Sequence, residues 1–291
     1  MRRVFFLVWV GVSSLSAAEL AVERSTESPK TVITSRSARV LGKGKSAEFT
    51  GNVVLTRGHD YMSADRLVTE DDNRLARAWG KVFFRRDGAE EPVRWEAWGE
   101  RAVYDTVSSS GTLWGDTRPA HARRTPVGGS LSGGVVDMKA PEISFSRANR
   151  STGTTEFSAG IVNGRGGVYL KSVEAGPVSR TTELWADRAD FDGPADLFRL
   201  TGAFAPNGAF DSEEAGTGGP PAGLDQPFAR QTQGREKREL RGDVIILHPS
   251  DKRLEVERAV RANLLFEAGR APAVDGKGKK RKETKTGGSA R

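Results

Sequence analysis

From Ala47 onward the chain alternates apolar and polar positions with a period of two, the pattern of strands that bury one face. Val53 and Leu55 share one face of a first strand, and Val54 and Thr56 share the other. Arg57-Gly58-His59-Asp60 predicts a turn and residues 61–69 a second strand. Glu70-Asp71-Asp72-Asn73 predicts another turn, because Asp and Asn side chains hydrogen-bond locally at bends. Next, Leu75, Arg77, Trp79, Lys81, Phe83 and Arg85 share one parity, while Ala76, Ala78, Gly80, Val82 and Phe84 share the other. Both faces carry apolar residues, so this strand is expected to differ in exposure along its length or to lie between a core and a groove. Residues 86–92 break the pattern and 93–98 restart it.

The unit recurs. Ala64-Asp65-Arg66-Leu67-Val68-Thr69-Glu70 is echoed in outline by Gly99-Glu100-Arg101-Ala102-Val103-Tyr104-Asp105, and Trp79-Gly80-Lys81 is echoed at the same offset by Trp114-Gly115-Asp116. A late copy is Ala186-Asp187-Arg188, followed by Leu197-Phe198-Arg199-Leu200-Thr201-Gly202 in the place of residues 75–80. Regular internal repetition marks stacked architectures, because one short hairpin buries too little area to stand alone. Adjacent Asp and Arg in an extended strand face opposite sides. Two roles for the pair stay open. In the structural one, Asp accepts backbone N–H groups at the bend and the Arg stem covers an apolar rim. In the functional one, Arg66, Arg101 and Arg188 form a row that meets an anionic ligand.

Elsewhere the pattern sets boundaries. Residues 19–46 form a lead-in that pairs with the first unit, 47–205 hold the β repeats, and 206–234, rich in Gly, Pro, Glu and Gln, form an insertion loop. Within the repeats, 117–135 is expected to be a loop or ragged edge. Residues 235–270 give a terminal β unit, with a helix over 254–266 as the alternative, and 271–291 a disordered basic tail.

Composition narrows the classes. Met1-Arg2-Arg3, an apolar run over 4–12 and Ser16-Ala17-Ala18 follow the order of an export signal cut after Ala18, giving residues 1–18 as a signal peptide and a periplasmic location. A retained inner-membrane anchor is the alternative, although the run is short for a bilayer. The chain has no cysteine, which excludes disulfide stapling, thiolate metal sites and cysteine catalysis. The formal net charge of +7 sits in Arg2, Arg3 and the run from Lys277, leaving the body near neutral. An exported protein of this kind is not expected to bind nucleic acid. His59, His121 and His248 fall in or beside turns without a partner at ligand spacing, so no metal site, cofactor or catalytic residue is expected. Carboxylates such as Asp65 and Glu100 read as ordinary solvated turn residues, and the protein is not expected to be an enzyme.

Gly51-Asn52-Val53, Ala64-Asp65-Arg66, Gly80-Lys81-Val82, residues 99–105 and Ala186-Asp187-Arg188-Ala189-Asp190 resemble the recurring phrases of the OstA-like (LptA) family of periplasmic lipopolysaccharide-transport proteins, to which the N-terminal domain of LptD and LptC are related. Lys81 stands where the phrase has Asn, and Gly99-Glu100 replaces Ala-Asp. The resemblance implies an all-β, open β-jellyroll of stacked antiparallel strands with an apolar groove for acyl chains. Val53, Leu55, Leu67, Trp79, Phe83, Val103, Trp114, Trp185 and Phe198 are the candidates for groove or core. It further implies lipopolysaccharide or a related glycolipid as ligand, LptC-like and LptD-like domains as partners by end-to-end strand addition, self-association, and a part in outer-membrane assembly. A non-catalytic structural or adhesive β-repeat protein of the cell envelope is the alternative.

Overall fold

Three times among the described residues, two residues on one strand face a single residue on the next. Gly51-Asn52 stands opposite Asp65, Gly80-Lys81 opposite Glu100, and Gly166-Gly167 opposite Asp187, each at a break in the pairing register. All six residues on the two-residue side have positive φ, the region that costs a side chain least when it is glycine. Such bulges bend a strand and sharpen its twist. Set side by side, they divide long strands into two halves that fold toward one another.

The computed structural model describes residues 30–41, 45–87, 93–127, 134–146, 161–174, 178–193, 195–205, 225–258 and 261–266. The expected signal peptide, most of the insertion and the basic tail lie outside them. Six long strands carry the bends: β3 (Ser46–Arg57), β4 (Asp60–Glu70), β5 (Leu75–Asp87), β6 (Val93–Asp105), β11 (Ile161–Glu174) and β12 (Arg180–Asp192). The others come in half-length pairs that replace one long strand. These are β1 (Thr31–Thr34) with β2 (Ser37–Leu41), β7 (Ser110–Trp114) with β8 (Ala120–Pro126), and β9 (Val135–Ala140) with β10 (Glu142–Ser146). Toward the C-terminus follow β13 (Leu197–Thr201) with β14 (Phe228–Gln233), β15 (Glu236–Arg241) with β16 (Val244–His248), and β17 (Arg253–Glu257) with β18 (Arg261–Phe266). Every pairing is antiparallel, and the result is two arms. Arm I holds β2, β7, β10, β13, β16, β17 and one half of each long strand; arm II holds β1, β8, β9, β14, β15, β18 and the other halves.

The expected open β-jellyroll is not what forms. One edge of β6 pairs with both β7 and β8, one edge of β11 pairs with both β10 and β9, and β7–β10 and β8–β9 complete the circuit. The strands β6–β7–β10–β11–β9–β8 therefore make a closed six-stranded barrel, from which the other strands extend as peripheral additions. Alternation along single strands does not reveal this closure, because it depends on breaks near Gly115 and Pro141 that let two short strands share one long neighbour. Gly115 N–H donates to the Pro141 carbonyl at 3.0 Å across those breaks.

One further expectation changes. Residues 120–126 are a strand rather than a loop, with Ala120, Ala122 and Arg124 facing in; two small residues and a cation hid its buried face. Residues 253–257 and 261–266 form strands rather than the alternative helix. Strand β14 also begins within the stretch expected as a loop, and β1 and β2 pair with β3 from within the lead-in.

Across the outer face of arm II, charges alternate in sign along one register row: Arg85, Glu96, Arg123, Asp137, Lys171, Glu183, Arg230 and Glu239. Opposite charges directly across a ladder each contribute roughly 0.2–1 kcal/mol, so the row helps fix the register of the face.

Candidate functional site

Between the arms lies one continuous apolar core. Arm II contributes Val53, Leu55, Met62, Val82, Phe84 and Trp95, and arm I contributes Leu67, Tyr104, Leu113, Ile143, Phe145, Phe191 and Phe198. Small residues on the bend side, Ala64, Ala78 and Ala102, let the two layers approach there. At the opposite side large aromatics cross from arm to arm. Phe84 meets Phe145 with ring centroids 4.3 Å apart and Tyr104 at 5.9 Å, and Trp95 meets Phe191 at 5.1 Å and Phe198 at 6.4 Å. Phe84, Trp95, Ile143, Phe145 and Val162 line a cavity of about 20 Å³, room for one water-sized body.

Polar latches join the arm tips beyond the aromatics. Asp60, 2% exposed, accepts from Arg86 Nε at 2.6 Å and from the Tyr104 hydroxyl at 2.7 Å, and Arg86 Nη2 reaches the Ser109 carbonyl on the other tip at 2.9 Å. Arg124 Nη2 donates to Asp196 Oδ1 at 2.6 Å, and Asp196 also accepts from Ser250. Arg180 Nη1 donates to the Lys252 carbonyl at 3.2 Å and faces Glu174 at 3.7 Å.

The electrostatics follow from this enclosure. Burial, reinforced by the Asp60 charge and hydrogen bond, holds the Tyr104 phenol well above its ordinary pKa. Burial lowers the pKa of the Arg124 guanidinium, against the pull of Asp196. Burial raises Glu174, opposed by Arg180 and Lys252. Among the described residues no group of three or more His, Asp or Glu stands where it could hold a metal ion.

The sequence candidates divide between faces. Val53, Leu55, Leu67 and Phe198 face the interior. Trp79, Phe83, Val103 and Trp114 are half-buried on the outer face, and Trp185, 0% exposed, belongs to a separate cluster with Tyr169 and Phe228. Arg66, Trp79, Arg101 and Trp114 form one outer row on arm I, in which Arg66 stacks on Trp79 at 5.2 Å and Arg101 on Trp114 at 5.5 Å. Arg66 pairs with Glu48, Arg101 with Asp116 and Arg188 with Asp190, so each of the three arginines already has a carboxylate. The Asp-Arg pairs also do not face opposite ways: Asp65 with Arg66, and Asp187 with Arg188, are exposed together because the bulge shifts parity. His121 lies in β8 rather than a turn, stacked on Trp98 and 2.7 Å from Asp137.

Sequence reasoning missed the rim residues Asp60, Arg86, Arg124 and Asp196. Three of them flank or occupy turns, where a charged residue is the ordinary case, and nothing local signals that their partners come from the other arm.

Residues 32–129 match the family described as LptA/(LptD N-terminal domain) LPS transport protein. The match supports membership of the OstA/LptA superfamily for that segment, without separating an LptA-like from an LptC-like subtype. Among solved structures, the chain is similar to LptH, the LptA-homologous periplasmic component of the conserved lipopolysaccharide transport device from Pseudomonas aeruginosa. Identity is 16%, over 45% of this chain and 90% of that one, with a TM-score of 0.34. No curated protein matches the chain.

Proposed function

We propose that this is a non-enzymatic periplasmic carrier of lipopolysaccharide or a related glycolipid, exported by a cleaved signal peptide, which shields acyl chains in the interior between its arms. The observation that carries the reading is how that interior is closed. Along the tips the arms meet through aromatic contacts and ion pairs rather than through strand pairing, so they can part there while the hydrogen-bonded sheet stays intact. Parting them exposes apolar area that a lipid tail would cover, each buried methylene contributing about 0.8 kcal/mol. The lipopolysaccharide-transport family matched by residues 32–129 agrees with this reading and with a periplasmic location.

Bridging between membranes would use the two ends of the sheet. Among the described strands, β1 and β2 pair only with β3 at one end, and β17 and β18 pair only with β16 and β15 at the other. Val32 and Val40 on the first edge are 53% and 68% exposed. Such edges accept strands of LptC-like or LptD-like domains, or of a second copy.

The packed interior, with a cavity of only about 20 Å³, favours one rival, a structural envelope protein that carries nothing. Mass spectrometry of lipid extracted from the full chain, purified from an envelope containing lipopolysaccharide, separates them. The carrier is expected to retain glycolipid near one per chain, whereas folded protein free of lipid points to the structural role.

A further inference from the structure

The arm tips meet at two places that are built differently. Toward the edge formed by β1 and β2, Asp60 on arm II accepts from Arg86 Nε at 2.6 Å and Nη2 at 3.1 Å, and from the Tyr104 hydroxyl of arm I at 2.7 Å. Arg86 Nη2 also crosses to the Ser109 carbonyl at 2.9 Å, and the guanidinium lies over the Phe145 ring at 5.6 Å. Toward the edge formed by β17 and β18, arm I offers Asp196, which precedes β13, and the turn between β16 and β17, while arm II offers Arg124 on β8 and Arg180 at the start of β12. The polar contacts that cross there run from Arg124 Nη2 to Asp196 Oδ1 at 2.6 Å and from Arg180 Nη1 to the Lys252 carbonyl at 3.2 Å.

The two closures differ in the donors they leave unused. Arg124 Nε and Nη1 and Arg180 Nε are buried without a hydrogen-bond partner, and so is Ser172 Oγ, which lies in the register row of Arg124. The Arg124 side chain is 4% exposed, yet two of its three nitrogens are idle. No buried side-chain nitrogen or oxygen of Asp60, Arg86, Tyr104 or Ser109 is in that condition. A buried donor without an acceptor has lost its water and gained no bond in exchange, so closure is costly where such donors collect. Parting the tips beside Arg124 and Arg180 returns these donors to water. Parting them beside Asp60 breaks a buried network whose members already satisfy one another. Aromatic contacts cross at both places, Phe84 to Phe145 and Trp95 to Phe191, so the polar groups decide between them.

We infer that the tips part at one end: the side bounded by Arg124, Arg180, Asp196 and Lys252 opens as a port, while the contacts among Asp60, Arg86, Tyr104 and Ser109 stay shut and act as the pivot. The contacts that break are side-chain contacts outside the strand ladders, the kind that opens locally. Whatever enters or leaves the interior then passes beside β8, β11 and β12, not beside β4 and β5. The inference rests on the reading that the arms part at their tips, and adds the end at which they do so.

The chain has no cysteine, so single introduced thiols report on each end. Ser172→Cys and Ser109→Cys each place a thiol in the full chain at a residue 1% exposed, one behind each closure. Reaction with a thiol reagent is timed under native conditions, each rate is divided by that of the same thiol in the urea-unfolded chain, and both are set against the rate of global unfolding. The Ser172→Cys thiol is expected to react about tenfold faster than the Ser109→Cys thiol, and Asp196→Asn, which weakens the hold on Arg124, to raise the first rate about threefold without moving the second. Thr182→Cys and Met62→Cys, also 1% exposed, take their places should either variant fail to fold. Equal rates above that of global unfolding, a faster Ser109→Cys thiol, or equal acceleration of both by Asp196→Asn overturns the one-sided port and leaves parting arms standing. Reaction of both thiols only as fast as global unfolding removes the port and the accessible interior together.

Discussion

Gly80 shows what the repeated glycines do. Its φ is +74°, and a Cβ there would lie 2.6 Å from Asp65 Oδ2 and 3.0 Å from Asp65 Cβ. Gly202 repeats the arrangement, with φ +77° and Asp187 Cβ 2.9 Å from the added atom. The Asp of each Asp-Arg phrase therefore packs on the glycine of the following strand, at the line where the strands bend. This couples two motifs that look independent in the sequence. Gly80→Ala is expected to cost about 2 kcal/mol, from left-handed backbone strain and the contact with Asp65. Urea denaturation would measure it, and a cost near zero would show that the bend tolerates a side chain.

Strands were legible in the sequence wherever large apolar residues alternate, as at Val53 and Leu55, and the repeat was legible from Asp-Arg and glycine. The facing of each strand was not. In β5 the small Ala76 and Ala78 point inward while Trp79 points outward under Arg66, so size is a poor guide to burial where two layers approach closely. The half-strand pairs were equally hidden, since their continuity is spatial. Along arm II the alternating charges act as a register device, and Asp137 is its best-connected member, bonded to His121 and Arg123 at 2.7 Å each. Burial alone would raise the Asp137 pKa, but those two bonds outweigh it and the net shift is downward. A depressed folded pKa gives stability that is present above the unfolded value, near 3.8, and is lost as pH falls through the folded value. Asp137→Asn is thus expected to cost about 1 kcal/mol at pH 7, a difference that fades in denaturation curves as pH falls through the depressed folded value. A difference independent of pH would assign the loss to packing.

For the molecule as a whole, closure has two origins. Continuous strands and the six-stranded barrel hold one side, while aromatic contacts and latches hold the tips. Only the second kind involves no strand pairing, and the interior behind it is packed, with a cavity of about 20 Å³. The candidate lipid surface accordingly shifts from Phe83, half-buried on the outer face, and Trp185, in a separate buried cluster, to Phe84, Trp95 and Phe145, which face the interior between the arms.

Adjacent residues on opposite faces give the most direct test. A photoreactive phenylalanine derivative is placed in turn at positions 83, 84 and 145 of the full chain, which is then exposed to lipopolysaccharide and illuminated. Crosslinks to lipid at 84 and 145, with little at 83, are the predicted result. Equal crosslinking at 83 and 84, or none at 84 and 145 while the same protein crosslinks to itself through 83, would contradict a lipid site between the arms.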